Sequence, residues 1–204
     1  MTHTLLRTGT IESQKNEFCW LVYQTPGVND ENFVNKALEY ITIVESVDGD
    51  NWGETKIGSV FQVGSQAIKD GLKDNSRIRG VFSSRDKAVE FLQDVVDKEL
   101  GLSVLIAGVL PEVAAICSEV GIVPHSANFS LGVWGRKDKL PDEKTLSITT
   151  MCGHHTIPVK FVELVREEVT AGKITPEEGA KKLAAFCYCG VFNPVRCADI
   201  LGSR

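Results

Sequence analysis

The sequence predicts a mixed α+β protein, an α/β core followed by a helical C-terminal lobe that carries a cysteine/histidine cluster. Two observations predict the core. Short apolar runs rich in β-branched and aromatic residues alternate with amphipathic helical patterns, and Gly, Pro and Asp punctuate the joins. A third predicts the lobe: from about residue 152 onward the strand patterns stop and capped helical segments follow. The expected organisation is a core over residues 1–151 and a lobe over 152–204, together forming one compact unit.

The first strand is expected at residues 18–23 (FCWLVY), ended by Thr25-Pro26-Gly27. Residues 31–39 read as weakly helical. Residues 40–47 are β-branched and read as a second strand, closed by Asp48-Gly49-Asp50. Glycines recur through residues 48–76, with a short helix expected near 64–73. Residues 78–82 (IRGVF) read as a strand. Ser83 or Ser84 then caps an amphipathic helix whose apolar positions are Ala88, Phe91, Leu92, Val95 and Val96. An apolar strand at 103–108, a helix opened by Pro111 and stopped by Gly121, and an extended run from Ile122 suggest a βαβ unit. Residues 127–134 (ANFSLGVW) read as extended. A basic loop follows, then a strand at 146–151 (LSITTM).

In the lobe, Pro158 opens one helix. Thr175-Pro176-Glu177-Glu178 is a capping box with Pro at the first helical position. Ala180, Leu183, Ala184 and Cys187 share one apolar face, and Gly190 is expected to stop that helix. Asn193-Pro194 caps a last helix carrying Cys197, Ile200 and Leu201.

Composition bounds the function. The chain has 204 residues, 43% of them hydrophobic and 24% charged, with a net charge of −5. That is a globular composition with enough length for a sizeable core. No basic stripe with interleaved aromatics is present, so nucleic acid is not the expected partner. No apolar run reaches the length of a membrane span, and residues 1–18 carry no signal-peptide pattern. The expectation is a soluble, cytoplasmic protein that acts on a small molecule, with homo-oligomerisation left open.

Six cysteines in a reducing compartment point to metal binding or catalysis rather than to a disulfide framework. Cys19 and Cys117 lie singly among apolar neighbours and are assigned to the core. Cys152, Cys187, Cys189 and Cys197 fall close together in the chain, with His154 and His155 beside Cys152. A strand before Cys152 and a helix after it would set this thiol at a helix N-terminus, which favours thiolate. A C-x-C pair leaving a helix at Cys187 and Cys189 can aim both sulfurs at one centre.

Convergence of Cys152, Cys187 and Cys189 would suit an iron–sulfur cluster, or alternatively zinc. Three thiolates would leave a position open for Lewis-acid chemistry; Cys197 as a fourth would close the site. His154 and His155 are the candidate proton carriers. Arg196, beside the cysteines, could clamp a substrate carboxylate or counter cluster charge. His125 and Asn128 are candidates for lining a substrate pocket, although a solvated loop histidine is the simpler reading of His125. Arg136, Lys137 and Lys139 could hold an anion or form a solvated charge run. His3 is given no role.

The leading expectation is an iron–sulfur enzyme catalysing a lyase-type elimination or hydration, or removing sulfur, at an open iron. Three alternatives remain open. They are a structural or hydrolytic zinc site, a non-catalytic redox or metal accessory protein or sensor, and metal-free thiol chemistry.

Overall fold

A computed structural model describes residues 6–203, and His3 lies outside them. The fold is mixed α+β, built on one five-stranded sheet with a helical layer on each face. The strands are β1 (Phe18–Tyr23), β2 (Asn51–Glu54), β3 (Gly58–Ser59), β4 (Ile78–Phe82) and β5 (Ser103–Ala107). Their order is β3-β2-β4-β1-β5, and every pairing is antiparallel. The helices of the first half are α1 (Ile11–Gln14), α2 (Phe33–Ser46), α3 (Val60–Gly71), α4 (Arg85–Lys98) and α5 (Leu110–Glu119). β4 lies between β1 and β2, and β1 lies between β4 and β5. Helices α2 and α4 therefore each join two parallel strands across an intervening one, giving two interleaved split β-α-β units.

Side-chain alternation divides the sheet. Phe18, Trp20 and Val22 of β1, with Ile78 and Phe82 of β4, face a core shared with α2, α4 and α5. There Trp20, Phe82 and Phe91 pack with ring centroids 5.2–5.8 Å apart. Cys19 and Val81, partners in the β1–β4 register, face the opposite way. The second layer covers that face with α6 (Glu143–Thr149), α7 (Val159–Thr170), α8 (Pro176–Ala184) and α9 (Pro194–Gly202).

Local capping signals are realised as read. Ser84 caps α4, Thr175 and Glu178 form a reciprocal capping box on α8, and Asn193 caps α9. Four element assignments change. Residues 40–47 are the second half of α2, not a strand: Phe33, Ala37, Tyr40, Ile41 and Val44 repeat at helical spacing and are all buried. Packing of that face overrides the β-branched preference. Residues 146–151 lie in and just after α6, not in a strand. Asp142 caps this helix by accepting from the Lys144 and Thr145 N–H groups at 3.1 and 3.2 Å. Among the described residues no strand follows α5, so the βαβ unit expected there is not formed; residues 122–136 carry no helix or strand. Finally, α8 ends at Ala184, so Cys187 lies in the turn beyond it.

One buried ion network ties the chain's two ends together. The Glu17 carboxylate receives Arg196 Nη1 at 2.6 Å and Arg7 Nη1 at 3.1 Å. Arg196 also donates to the Thr8 carbonyl at 2.6 Å and to Ser13 Oγ at 2.9 Å. Removing one partner from a buried pair leaves an uncompensated charge. Glu17→Gln is expected to destabilise the fold by about 3–5 kcal/mol, read as a lower urea midpoint. Glu12→Gln, at an exposed pair with Lys15, should leave the midpoint unchanged.

Candidate functional site

The second layer brings two chain-distant segments together under the sheet. One is the turn between α6 and α7 that carries Cys152. The other is the turn between α8 and α9 that carries Cys187 and Cys189. Cys187 Sγ and Cys189 Sγ are 3.7 Å apart, and Cys152 lies close enough to Cys187 for each thiol to shift the other's acidity. All three side chains are fully buried. The two turns are also laced directly: Cys152 Sγ lies 3.0 Å from Thr156 Oγ1, and the Thr156 hydroxyl donates to the Phe186 carbonyl at 2.7 Å.

The 185–193 turn is seated on the sheet. Asn51 Nδ2 donates to the Phe192 carbonyl at 2.9 Å, and Gln62 Nε2 donates to the Ala185 carbonyl at 2.7 Å. Gly190 adopts φ +78°, and a Cβ there would fall 2.2 Å from the Trp52 carbonyl carbon. Both the backbone conformation and the close approach require glycine.

The three thiols shift one another's acidity. The bond with Cys187, then burial, pushes the Cys152 thiol up. At Cys187 the bond from Cys152 pulls down. The bond to Cys189, burial and the Cys189 charge outweigh it, and the thiol is pushed up to about 12. The bond from Cys187 lowers Cys189, with Arg79 adding its positive charge. Cys152 lies beyond the C-terminus of α6, its N–H donating to the Thr149 carbonyl at 3.3 Å. The helix dipole there opposes thiolate, the reverse of the N-terminal placement expected.

Three groups absent from the sequence-based site join it. Cys19, assigned to the core, projects from β1 on the lobe side and lies within electrostatic reach of Cys187. Arg7 Nη2 lies 2.7 Å from Cys19 Sγ and donates to the Val191 carbonyl at 2.9 Å. Burial pulls Arg7 down, but the charges of Cys19 and Glu17 outweigh it. Burial dominates at Cys19 and pushes its thiol up to about 12. Arg79 of β4 is buried, which lowers it, with Cys189 and Glu54 as the opposing charges. The β1 alternation is the signal that could have found Cys19, since it falls on the face opposite Phe18 and Trp20. A lone arginine inside the buried run IRGVF is the equivalent signal for Arg79.

The histidines separate. The half-buried His154 ring contacts Cys152 and lies 5.0 Å from the Tyr188 ring. Burial lowers it toward the neutral form, with Arg79 in the same direction and Cys152 opposing. His155 is exposed in left-handed backbone (φ +54°). Cys197 stays apart from the other thiols; burial pushes it up and Arg196 is the charge that opposes. The Arg196 guanidinium is committed to Glu17, Thr8 and Ser13, so it acts as a clamp on the N-terminal segment. His125 and Asn128 lie in the exposed 122–136 segment rather than beside the thiols. Arg136 pairs with Asp138 at the surface. A cleft of about 900 Å³ opens between the N-terminal segment, α6 and α9, lined by Ser13, Glu143, Ser147, Arg196 and Asp199; no cysteine lines it.

Among the described residues, no three His, Cys, Asp or Glu side chains surround one point at metal-ligand spacing. None of the described helices is long and apolar enough to cross a membrane. Compared with protein-family models, curated proteins and solved structures, the chain finds no match.

The seating of Gly190 has a direct consequence. Gly190→Ala should destabilise the protein by at least ~2 kcal/mol and expose Cys187 and Cys189 to a thiol reagent under native conditions. Gly172→Ala is the control: Gly172 also has positive φ, but open space surrounds it. It should lose some stability without unmasking any thiol.

Proposed function

We propose that Cys152, Cys187 and Cys189 hold an iron–sulfur cluster in an enzyme acting on a small molecule. The single observation that carries this is the meeting of three buried thiols from two distant turns in one place. An all-sulfur donor set is soft and suits iron–sulfur or zinc rather than hard oxygen-seeking ions.

Charge supports an anionic centre at this place. Arg7 and Arg196 share the single buried carboxylate of Glu17, and a thiolate-bound centre would offset the remaining guanidinium charge. N–H donors beside sulfur, such as Arg7 at Cys19, are among the groups that set a cluster's potential. The raised Cys152 and Cys187 thiols argue against metal-free nucleophilic chemistry, which needs a ready thiolate on an accessible sulfur.

With Cys197 apart, the three thiols would leave one position of the cluster for a substrate. When bound, the cluster would supply Lewis-acid polarisation of an oxygen, sulfur or carboxylate group, suiting elimination, hydration or desulfurisation. His154 is the residue of this chain fitted to accept or return a proton at the substrate, being half-buried, beside Cys152 and biased to the neutral form. His155, on the solvent side, is not assigned that role. A small-molecule substrate fits the acidic composition and the enclosed thiols. Thiols kept free in the folded protein fit the cytoplasm as its compartment.

A second reading has its own observation. Two thiolates on one tetrahedral zinc, each at about 2.3 Å, stand about 3.8 Å apart. The Cys187–Cys189 separation of 3.7 Å is close to that spacing. A structural or hydrolytic zinc site on the same residues is therefore the alternative.

Anaerobic purification or reconstitution, followed by iron, sulfide and zinc analysis and an absorbance spectrum, tests both. The expected outcome is a brown protein with iron and acid-labile sulfide. Cys152→Ser, Cys187→Ser and Cys189→Ser should each lose most of the iron, whereas Cys197→Ser should keep it. His154→Gln should retain the cluster while lowering turnover about 10²–10⁴-fold. Zinc without sulfide would select the second reading, and folded protein with neither element would defeat both.

A further inference from the structure

The residues between α5 and α6 carry a strand pattern without a sheet. Ala127, Phe129 and Leu131 alternate with Asn128 and Ser130, the two-residue period of a half-buried strand. Yet Ser126–Gly132 are all exposed. Exposure reaches 69% at Phe129, 83% at Leu131 and 79% at Trp134. Gly132 and Gly135 then turn the chain with positive φ, and Trp134 Nε1 donates back to the Leu131 carbonyl at 2.8 Å.

The sheet has a matching defect. Among the described residues, β5 is an edge strand that pairs only with β1. Its sequence, SVLIA, contains no charge, proline or glycine, the usual protections of an exposed edge. All five residues are half-buried, and Leu105 packs into neither core. The alternating segment 127–131 has the same five-residue length as β5.

We propose that this protein forms a two-fold dimer in which residues 127–131 of each copy add as a strand to the β5 edge of the other. Strand addition satisfies the outer backbone groups of β5 and places apolar side chains beside Leu105. A two-fold axis makes the exchange reciprocal, so each copy contributes one arm and one edge. The buried area is sufficient. Phe and Trp side chains bury about 150–250 Å² each. Four such rings from two arms, with two copies of Leu131, reach the ~1,200 Å² of a stable interface. The alternation with Asn128 and Ser130, together with a net charge of −5, favours a protein edge over a lipid surface as the occupant.

Sedimentation or light scattering across a dilution series is the test, with the whole chain. A dimer is expected. Phe129→Ser/Leu131→Ser in the arm and, separately, Leu105→Lys in the edge should each weaken it by about tenfold or more. Mixing those two variants should restore association in part, because the mixed pair keeps one intact arm and one intact edge. The emission of Trp134, exposed where Trp20 and Trp52 are buried, should shift to shorter wavelength as the dimer forms. Several results would overturn the proposal. They are a wild type that stays monomeric at every concentration, a dimer indifferent to both variants, or a monomer that sediments with phosphatidylcholine/phosphatidylserine vesicles. A monomer whose Trp134 is shielded would do so too, since the arm would then lie on its own β5. None of these outcomes depends on metal content, so the cluster proposal stands or falls separately.

Discussion

The carboxylate of Glu17 is the group on which the arrangement of the second layer hangs. It sits at the start of β1 with 1% exposure and holds two guanidinium groups, one from each end of the chain. Without it, Arg196 and Arg7 would be buried like charges with nothing between them. With it, Arg196 pins α9 to the N-terminal segment, and Arg7 is directed past the sheet to the Val191 carbonyl and Cys19 Sγ. A buried ion triad is costly to desolvate, and its contribution is to fix one geometry rather than to add stability. Here that geometry is the position of the cysteine-bearing turn against the sheet.

The helices of the lobe were legible because their signals are local. A Ser, Thr or Asn cap with Pro or Glu at a set distance satisfies backbone donors within a single turn. Ser84, the Thr175–Glu178 box and Asn193 therefore mean the same thing in any fold. The failures came where periodicity was ambiguous over a short run. YITIVESV is β-branched, and only by joining it to Phe33 and Ala37 does the helical face emerge. LSITTM alternates like a strand, yet Asp142 caps it as a helix and Arg166 holds that cap at 2.7–2.9 Å. Runs of six to eight residues carry too little phase to separate periods of 2 and 3.6.

The candidate site was legible in the same proportion. The convergence of Cys152, Cys187 and Cys189 follows from clustering in sequence, because two hairpins of one small layer have few ways to pack. Cys19 and Arg7 lie far away in sequence, and nothing local marks them as neighbours of Cys187. Which histidine faces the thiols was undecided in the sequence. The left-handed backbone at His155 decides it, by turning that side chain to solvent while His154 stays against Tyr188. Arg196 is the opposite case: adjacency to a cysteine suggested a substrate clamp, and the structure joins its guanidinium to the chain's own N-terminal segment.

Buried thiols usually act as small apolar residues, and Cys117 and Cys197 fit that pattern. The other four depart from it in a way that packing alone does not explain. Apolar filling has no use for a guanidinium 2.7 Å from Cys19 Sγ. A guanidinium has donors only, so its sulfur partner must accept, and acceptance is strongest from an anion. Arg79 adds a second cation beside Cys189. Bringing cations into a dry layer is favourable only if an anion is there to meet them. A group of thiolates gathered on a soft metal centre is an anion that can be assembled after the chain has folded.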